Sequence, residues 1–189
     1  MDIKQERKML LEENEGYQIY TAVKGTSKIN GDIAEIGTYS GGSSKIICEA
    51  KDKNRKAYFF DTFAGLPELT DKDNPKEFYK NQFITSYEGV KEYLKGYKNA
   101  YVYKGLFPKE NGEILKNKRF SFIHLDVDLY EATFESLKFF YPRMNKGAIL
   151  ISHDYINSQG VKKAFNKFFK DKPECIIEMS GSQALIVKQ

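Results

Sequence analysis

The stretch Asp32-Ile-Ala-Glu-Ile-Gly-Thr-Tyr-Ser-Gly-Gly-Ser-Ser44 decides the architecture. A short β-prone run passes through a turn holding Gly37, Gly41 and Gly42 into a stretch of helical composition. A strand that feeds a helix through a glycine turn is the first half of a βαβ unit. The alternation continues down the chain. Strands are expected at Asp32–Gly37, Ala57–Asp61, Ala100–Lys104, Phe120–Asp126 and Gly147–His153. Helices are expected near Ser43–Lys51, Pro75–Gly96 (broken), Pro108–Asn117, Tyr130–Tyr141 and Gln159–Lys170. Pro75 and Pro108 suit first helical turns. Two last strands, Cys175–Met179 and Ala184–Val187, flank Ser180-Gly181-Ser182, a connection short enough for a hairpin, so the final strand should run antiparallel. The expected fold class is α/β, a doubly wound, mostly parallel, seven-stranded sheet with an antiparallel last strand.

The 189 residues fit one domain, 1–189, with residues 1–30 as a helical N-terminal extension. Within it Lys4–Glu13 reads as a surface helix, a flap or a dimer contact, so a homo-oligomer stays open. Lys+Arg 30 against Asp+Glu 26 leaves a net charge of +4, too weak a bias to call for a nucleic-acid partner. The longest strongly apolar stretch, Gly147–Ser152, falls far short of the ~20 residues of a membrane span. Met1–Asn14 is too polar for a secretory signal, so a cytoplasmic protein away from membranes is expected. Cys48 and Cys175 lie among apolar neighbours and read as reduced core thiols.

In a doubly wound sheet, ligands bind outside the carboxyl ends of the strands. The first strand delivers the glycine turn there, and the following helix offers its unpaired N–H groups to an anionic ligand group. Gly41 and Gly42 would let backbone approach that ligand closely. The spacing G-x-x-x-G-G is not the G-x-G-x-x-G of dinucleotide-binding enzymes. Asp61 ends the second strand 19 residues past Gly42, where an acidic residue accepts hydrogen bonds from both ribose hydroxyls of a nucleoside. The alternative role for Asp61 is a turn cap over Asp61-Thr62-Phe63. Asp126 protrudes after the fourth strand, whereas Asp128-x-x-Glu131 has the spacing of a capping box for the next helix. His124, two residues before Asp126, reads as a hydrogen-bonded core histidine. The fifth strand ends in His153-Asp154; with Asp126 these can hold one hard divalent cation, His153 adding a nitrogen. Otherwise Asp154 caps the following helix and His153 bonds to backbone.

These residues carry a family likeness. Glu35-Ile-Gly37-x-Tyr39-x-Gly41-Gly42-Ser43, Phe60-Asp61-Thr62-Phe63-x-Gly65-Leu66-Pro67, Leu125-Asp126-x-Asp128-Leu129-Tyr130-Glu131-x-Thr133 and Asp154-Tyr155 occur in that order. Over roughly Gly31 to Phe169 the chain resembles the macrocin O-methyltransferase (TylF-like) family of S-adenosylmethionine-dependent enzymes. The resemblance implies a class I methyltransferase fold with S-adenosylmethionine across the first two strand ends. Glu35, Gly37, Tyr39 and Ser43 would line its methionine side, Asp61 would take the ribose hydroxyls, and Thr62 and Phe63 would lie beside the adenosine. Thr38, Gly41, Gly42 and Gly105 complete the expected cofactor set. It also implies methylation of a sugar hydroxyl helped by Mg²⁺, or Mn²⁺, held by three carboxylates. Two of these map onto Asp126 and Asp154, and the third falls on His153, where the family often has Asp.

The function expected is therefore O-methylation of a small-molecule acceptor, a sugar or a sugar-bearing compound, with Asp126, Asp128 and His153 as unranked candidate bases. Rival readings are a nicotinamide-dependent oxidoreductase or epimerase, a non-catalytic methyltransferase-like binding module, and a nucleic-acid methyltransferase. The first lacks the glycine fingerprint and a Tyr-x-x-x-Lys pair. The second fits poorly with the retained acidic residues, and the third with the modest charge.

Overall fold

A computed structural model of the protein describes residues 9–189. Its first half runs α1 (Glu13–Gly25), β1 (Asp32–Ile36), α2 (Gly42–Ala50), β2 (Ala57–Asp61), α3 (Tyr87–Leu94) and β3 (Ala100–Lys104). A 3₁₀ turn (Gly112–Leu115) leads to β4 (Phe120–Leu125), α4 (Tyr130–Phe140), a second 3₁₀ turn (Tyr141–Arg143) and β5 (Met144–Ser152). The chain closes with α5 (Gln159–Phe169), β6 (Ile177–Glu178) and β7 (Ala184–Val187).

The strands form one seven-stranded sheet in the order β3-β2-β1-β4-β5-β7-β6. β1 to β5 pair in parallel, and β7 runs antiparallel to both β5 and β6. Alternation along each strand feeds two cores. Ala34, Ile36, Tyr58, Phe60, Ile123 and Leu125 pack with Leu137 and Phe140 of α4 and Phe165 of α5. Ile33, Phe59, Phe122 and Ile151 face the other way, onto Ile19 and Val23 of α1, Ile46 and Ile47 of α2, and Val90 of α3. Strands buried on both faces are what a parallel sheet covered by helices requires.

The expected sheet is present, and the differences have local causes. Residues 75–86 are not helical. Their backbone groups bond across the segment instead, Leu66 N–H to Gln82 O (2.8 Å) and Asn81 N–H to Leu66 O (2.9 Å). Ser86 then opens α3 by accepting from Gly89 N–H at 3.1 Å. The helix expected at Pro108–Asn117 shrinks to the first 3₁₀ turn. Of the N-terminal Lys4–Glu13 helix, residues 4–8 lie outside the described residues, and 9–12 are not helical; α1 starts at Glu13, where Glu15 accepts the Glu12 N–H at 2.8 Å. Only Ile177–Glu178 of the expected Cys175–Met179 strand pairs. Cys48 is buried as expected, but Cys175 is exposed.

Candidate active site

The chain reverses its direction of travel across the sheet between β1 and β4, the position at which a doubly wound sheet leaves a crevice. A cavity of about 430 Å³ lies there, outside the carboxyl ends of the strands. Its floor is made by residues immediately past the strands, because each ladder continues one bond further. Gly37 N–H reaches Phe60 O, Asp126 N–H reaches Ile36 O, and His153 N–H reaches Leu125 O, each at 2.8 Å.

Gly37, Thr38, Tyr39, Gly42, Ser43, Asp61, Thr62 and Gly105, which lie at or after the ends of β1, β2 and β3, line it together with Asp126, Asp128, His153 and Asp154, which follow β4 and β5. Glu35, Gly41 and Phe63 do not reach the cavity. Glu35 is fully buried between β4 and α2, where its carboxyl meets His124 Nδ1 at 2.9 Å and takes the Ser44 hydroxyl. Gly41 occupies the cap position of α2 at φ +88°, and a Cβ there would point at Val90 and Tyr93 of α3. Gly42 faces the Met9 side chain, 2.9 Å from where its Cβ would be. Phe63 serves through its backbone while its ring packs on Tyr87, 5.2 Å between centroids. Gly37 is needed for a steric reason of its own: at φ +91°, any Cβ would fall onto the carbonyl of Asp126.

Asp61 is held in place by two backbone donors, Tyr39 N–H at 2.8 Å and Phe63 N–H at 2.7 Å. The second of these is the Asx turn considered for it, so turn and cavity roles coexist in one carboxyl. Burial raises its pKa, and the donated hydrogen bonds work against that rise. Leu66, Phe83, Leu106 and Phe107 supply apolar wall to the same cavity.

At the ends of β4 and β5 the charged groups converge on one imidazole. His153 Nδ1 lies 2.8 Å from Asp154 Oδ2 and 3.2 Å from Asp126 Oδ1, and Nε2 lies 3.3 Å from Glu15 Oε2. Burial would discharge His153, but Asp126 first, then Asp154 and Glu15, outweigh it and hold its pKa far above the ordinary value. Burial likewise opposes ionisation of Asp126 and Glu15. The facing imidazolium holds Asp126 below the usual carboxylate range, and with the Ser182 and Glu12 donors it brings Glu15 down to about 2. Asp128 goes the other way: burial, then the negative Asp126 and Asp154, push it well above that range.

Neither aspartate caps a helix. Tyr130 N–H, in the first turn of α4, bonds to Asp73 at 2.7 Å rather than to Asp128, whose backbone sits at φ 60°. The expected Asp128–Glu131 capping box is absent, since Leu129 holds the cap position. α5 is capped by Ser158, whose Oγ accepts from Val161 N–H at 3.3 Å, leaving the Asp154 carboxyl to His153.

Asp126, His153 and Asp154 can together hold a metal ion, each offering a donor within 4.8 Å of the others. Adjacent donors on an octahedral ion with bonds of about 2.1 Å stand about 3 Å apart, close to the spacing of Nδ1 from the two carboxyls. Two residues here escaped sequence reasoning. Glu15 is 2% exposed and takes Ser182 N–H and Oγ at 2.7 and 2.8 Å. Its signal was available: Glu15, Ile19, Ala22 and Val23 share one helical stripe, and an acid on an apolar stripe is out of place. Asp73 left no such trace. Among the described residues, no helix is long and apolar enough to cross a membrane.

Known proteins resemble this one in sequence and in fold. The chain is 28% identical over 143 residues to the Mycinamicin III 3''-O-methyltransferase of Micromonospora griseorubida, covering 67% of this chain and 56% of that one. It is 27% identical over 141 residues to the 8-demethyl-8-(2,3-dimethoxy-alpha-L-rhamnosyl)-tetracenomycin-C 4'-O-methyltransferase of Streptomyces olivaceus, covering 67% and 54%. The chain thus spans about half the length of the curated relatives it matches. In fold it resembles the O-methyltransferase NovP, with TM-score 0.77 and 20% identity over 92% of this chain and 79% of that one. An O-methyltransferase from Bacillus cereus in complex with SAH gives TM-score 0.67 at 15% identity, over 94% and 82%. The seven-stranded α/β fold is therefore that of the class I O-methyltransferases. Residues 17–179 match the family model for Macrocin-O-methyltransferase (TylF), and by that extent the chain belongs to the TylF family.

Proposed function

We propose that the protein is an S-adenosylmethionine-dependent O-methyltransferase acting, with a divalent cation, on a hydroxyl of a sugar or sugar-bearing small molecule. The observation that carries this reading is that one cavity is lined both by Asp61 and residues of the glycine turn, from the ends of β1 and β2, and by the Asp126, His153 and Asp154 cluster, from the ends of β4 and β5. Relatives whose names specify a 3''- or 4'-hydroxyl position, one of them on a rhamnosyl-bearing compound, support the acceptor class. The chain 1–189 works as one methyltransferase domain.

S-adenosylmethionine supplies an electrophilic methyl on a sulfonium: the C–S bond breaks as the C–O bond forms, and sulfur keeps the electron pair. Asp61 accepts the ribose hydroxyls, its orientation fixed by the Tyr39 and Phe63 N–H groups. Leu66, Leu106 and Phe107 keep water from the donor. Asp126, His153 and Asp154 would hold a cation, which would supply orientation of the acceptor hydroxyl and a lowered pKa for it. The proton released would pass to Asp128, the candidate base that lines the same cavity outside that donor set.

Calorimetry with S-adenosylhomocysteine and with NADH separates this from the oxidoreductase reading: binding of the first and not the second is expected, and the reverse overturns the proposal. Screening sugars with vicinal hydroxyls for methyl transfer, with and without EDTA, tests the acceptor and the cation.

A further inference from the structure

We propose that Glu15 is a positioning residue that fixes which nitrogen of His153 faces Asp126 and Asp154, so that the site takes a transition-metal dication in preference to Mg²⁺. The inference rests on the cation-assisted reading above, and it concerns residues of this chain that depart from an all-carboxylate site.

Glu15 comes from α1, and its carboxyl is buried and immobilised before it meets the imidazole. Oε1 accepts Ser182 N–H and Oγ at 2.7 and 2.8 Å, and Oε2 accepts Glu12 N–H at 2.8 Å. With those donors fixed, Glu15 can present only an acceptor to His153 Nε2, 3.3 Å away. The hydrogen on that side of the ring therefore belongs to Nε2. Nδ1 is left facing Asp126 Oδ1 and Asp154 Oδ2 at 3.2 and 2.8 Å. Coordination replaces the Nδ1 proton, while the Nε2–H to Glu15 is kept. A carboxylate behind a ligating histidine fixes its tautomer and makes the other nitrogen a better ligand.

The donor set that results is one imidazole nitrogen and two carboxylate oxygens. Mg²⁺ favours oxygen ligands and sheds water reluctantly, whereas imidazole suits the later first-row dications. A nitrogen in the third position thus turns selectivity toward ions such as Co²⁺ and Zn²⁺.

The experiment uses Co²⁺ and Mg²⁺ on the whole protein without an acceptor. Competition titration is expected to show Co²⁺ bound at least on the order of tenfold more tightly than Mg²⁺. Proton NMR of the Co²⁺ protein should show one hyperfine-shifted, slowly exchanging imidazole N–H. The chain has 2 histidines, and His124 is buried against Glu35 rather than in the cavity, so the signal should vanish in His153→Asp. That variant should also bring the two affinities close together. Glu15→Gln should weaken Co²⁺ by about 10–100-fold and lose or broaden the N–H signal. Equal affinity for both ions, a Co²⁺ protein without the imidazole signal, or a Glu15→Gln protein that behaves as wild type overturns the proposal. If Glu15→Gln does not fold, the wild-type signal and His153→Asp still decide it. Because none of these measurements uses methyl transfer, Co²⁺ bound through His153 in a protein that methylates nothing would sink the proposed function and leave this inference standing.

Discussion

Asp73 accepts the backbone N–H of Tyr130 at 2.7 Å across a separation of 57 residues. Its other oxygen takes Thr70 N–H and Oγ at 2.8 and 2.7 Å. One buried carboxyl thus ties the long connection between β2 and α3, which carries the cavity residues Pro67, Phe78 and Phe83, to the first turn of α4. Asp73→Ala removes the cap and should cost about 1–2 kcal/mol in urea denaturation. It should also speed proteolysis within residues 66–82. An unchanged digestion rate would show that the connection is held by other bonds.

Asp61→Ala should weaken S-adenosylhomocysteine by about 1.5–3 kcal/mol in calorimetry, the range of a charge-assisted hydrogen bond. Asp61→Asn keeps one acceptor oxygen and should fall between the two. Wild-type affinity in Asp61→Ala would reduce this residue to the Asx turn.

Gly37 and Gly42 should behave differently although they share one turn. Gly37→Ala drives a methyl into the Asp126 backbone, which cannot yield without moving a cavity carboxyl, and should cost about 3 kcal/mol. Gly42→Ala meets the Met9 side chain from Cβ to Sδ rather than backbone, so Met9 must shift, and the cost should be smaller than that of Gly37→Ala. Equal melting temperatures would contradict the steric assignment.

Ser158 and Asp154 separate helix capping from site chemistry. Ser158→Ala should lower stability by about 1 kcal/mol and leave cation binding intact. Asp154→Ala should abolish cation binding measured by titration, whatever its effect on the melt. Retained binding in Asp154→Ala would remove that carboxyl from the ligand set.

The two thiols should differ in chemistry. Burial pushes the Cys48 thiol up from its ordinary 9.0 to about 12, and Cys175 is exposed. In the native protein at pH 8, Cys175 should react with a disulfide reagent and Cys48 only after unfolding. Because the folded pKa of Cys48 is the higher one, its contribution to stability is complete below pH 9 and lost as pH rises toward 12. The difference in stability between wild type and Cys48→Ala should follow that window. A difference independent of pH would exclude the titration.

Strands and strand-end residues were legible because their signals are local. A β-prone run followed by glycine, Asp61 or Asp126 reads the same before and after folding. Segment 75–86 was not legible, since the Leu66–Asn81 and Leu66–Gln82 bonds and the Asp73 cap join residues far apart and leave no periodic mark. Asp128 misled for the same reason: its spacing to Glu131 fits a capping box, but a distant carboxyl had already taken the Tyr130 N–H. Glu35 sits within a motif yet points inward to His124 and Ser44, a direction that strand parity makes readable only once the sheet order is known. Cys175 has apolar neighbours in sequence and none that cover it in space.

The clasp between Glu15 and Ser182 spans 167 residues, which has a consequence for how the protein is made. A chain emerging from the ribosome as far as α5 already contains Asp126, His153 and Asp154. It does not yet contain the turn that locks Glu15 behind the imidazole. Closing so long a loop comes late and slowly relative to the local βα contacts. The sheet can therefore assemble from its N-terminal half during synthesis. The charged centre matures last, when the β6–β7 hairpin joins the first helix.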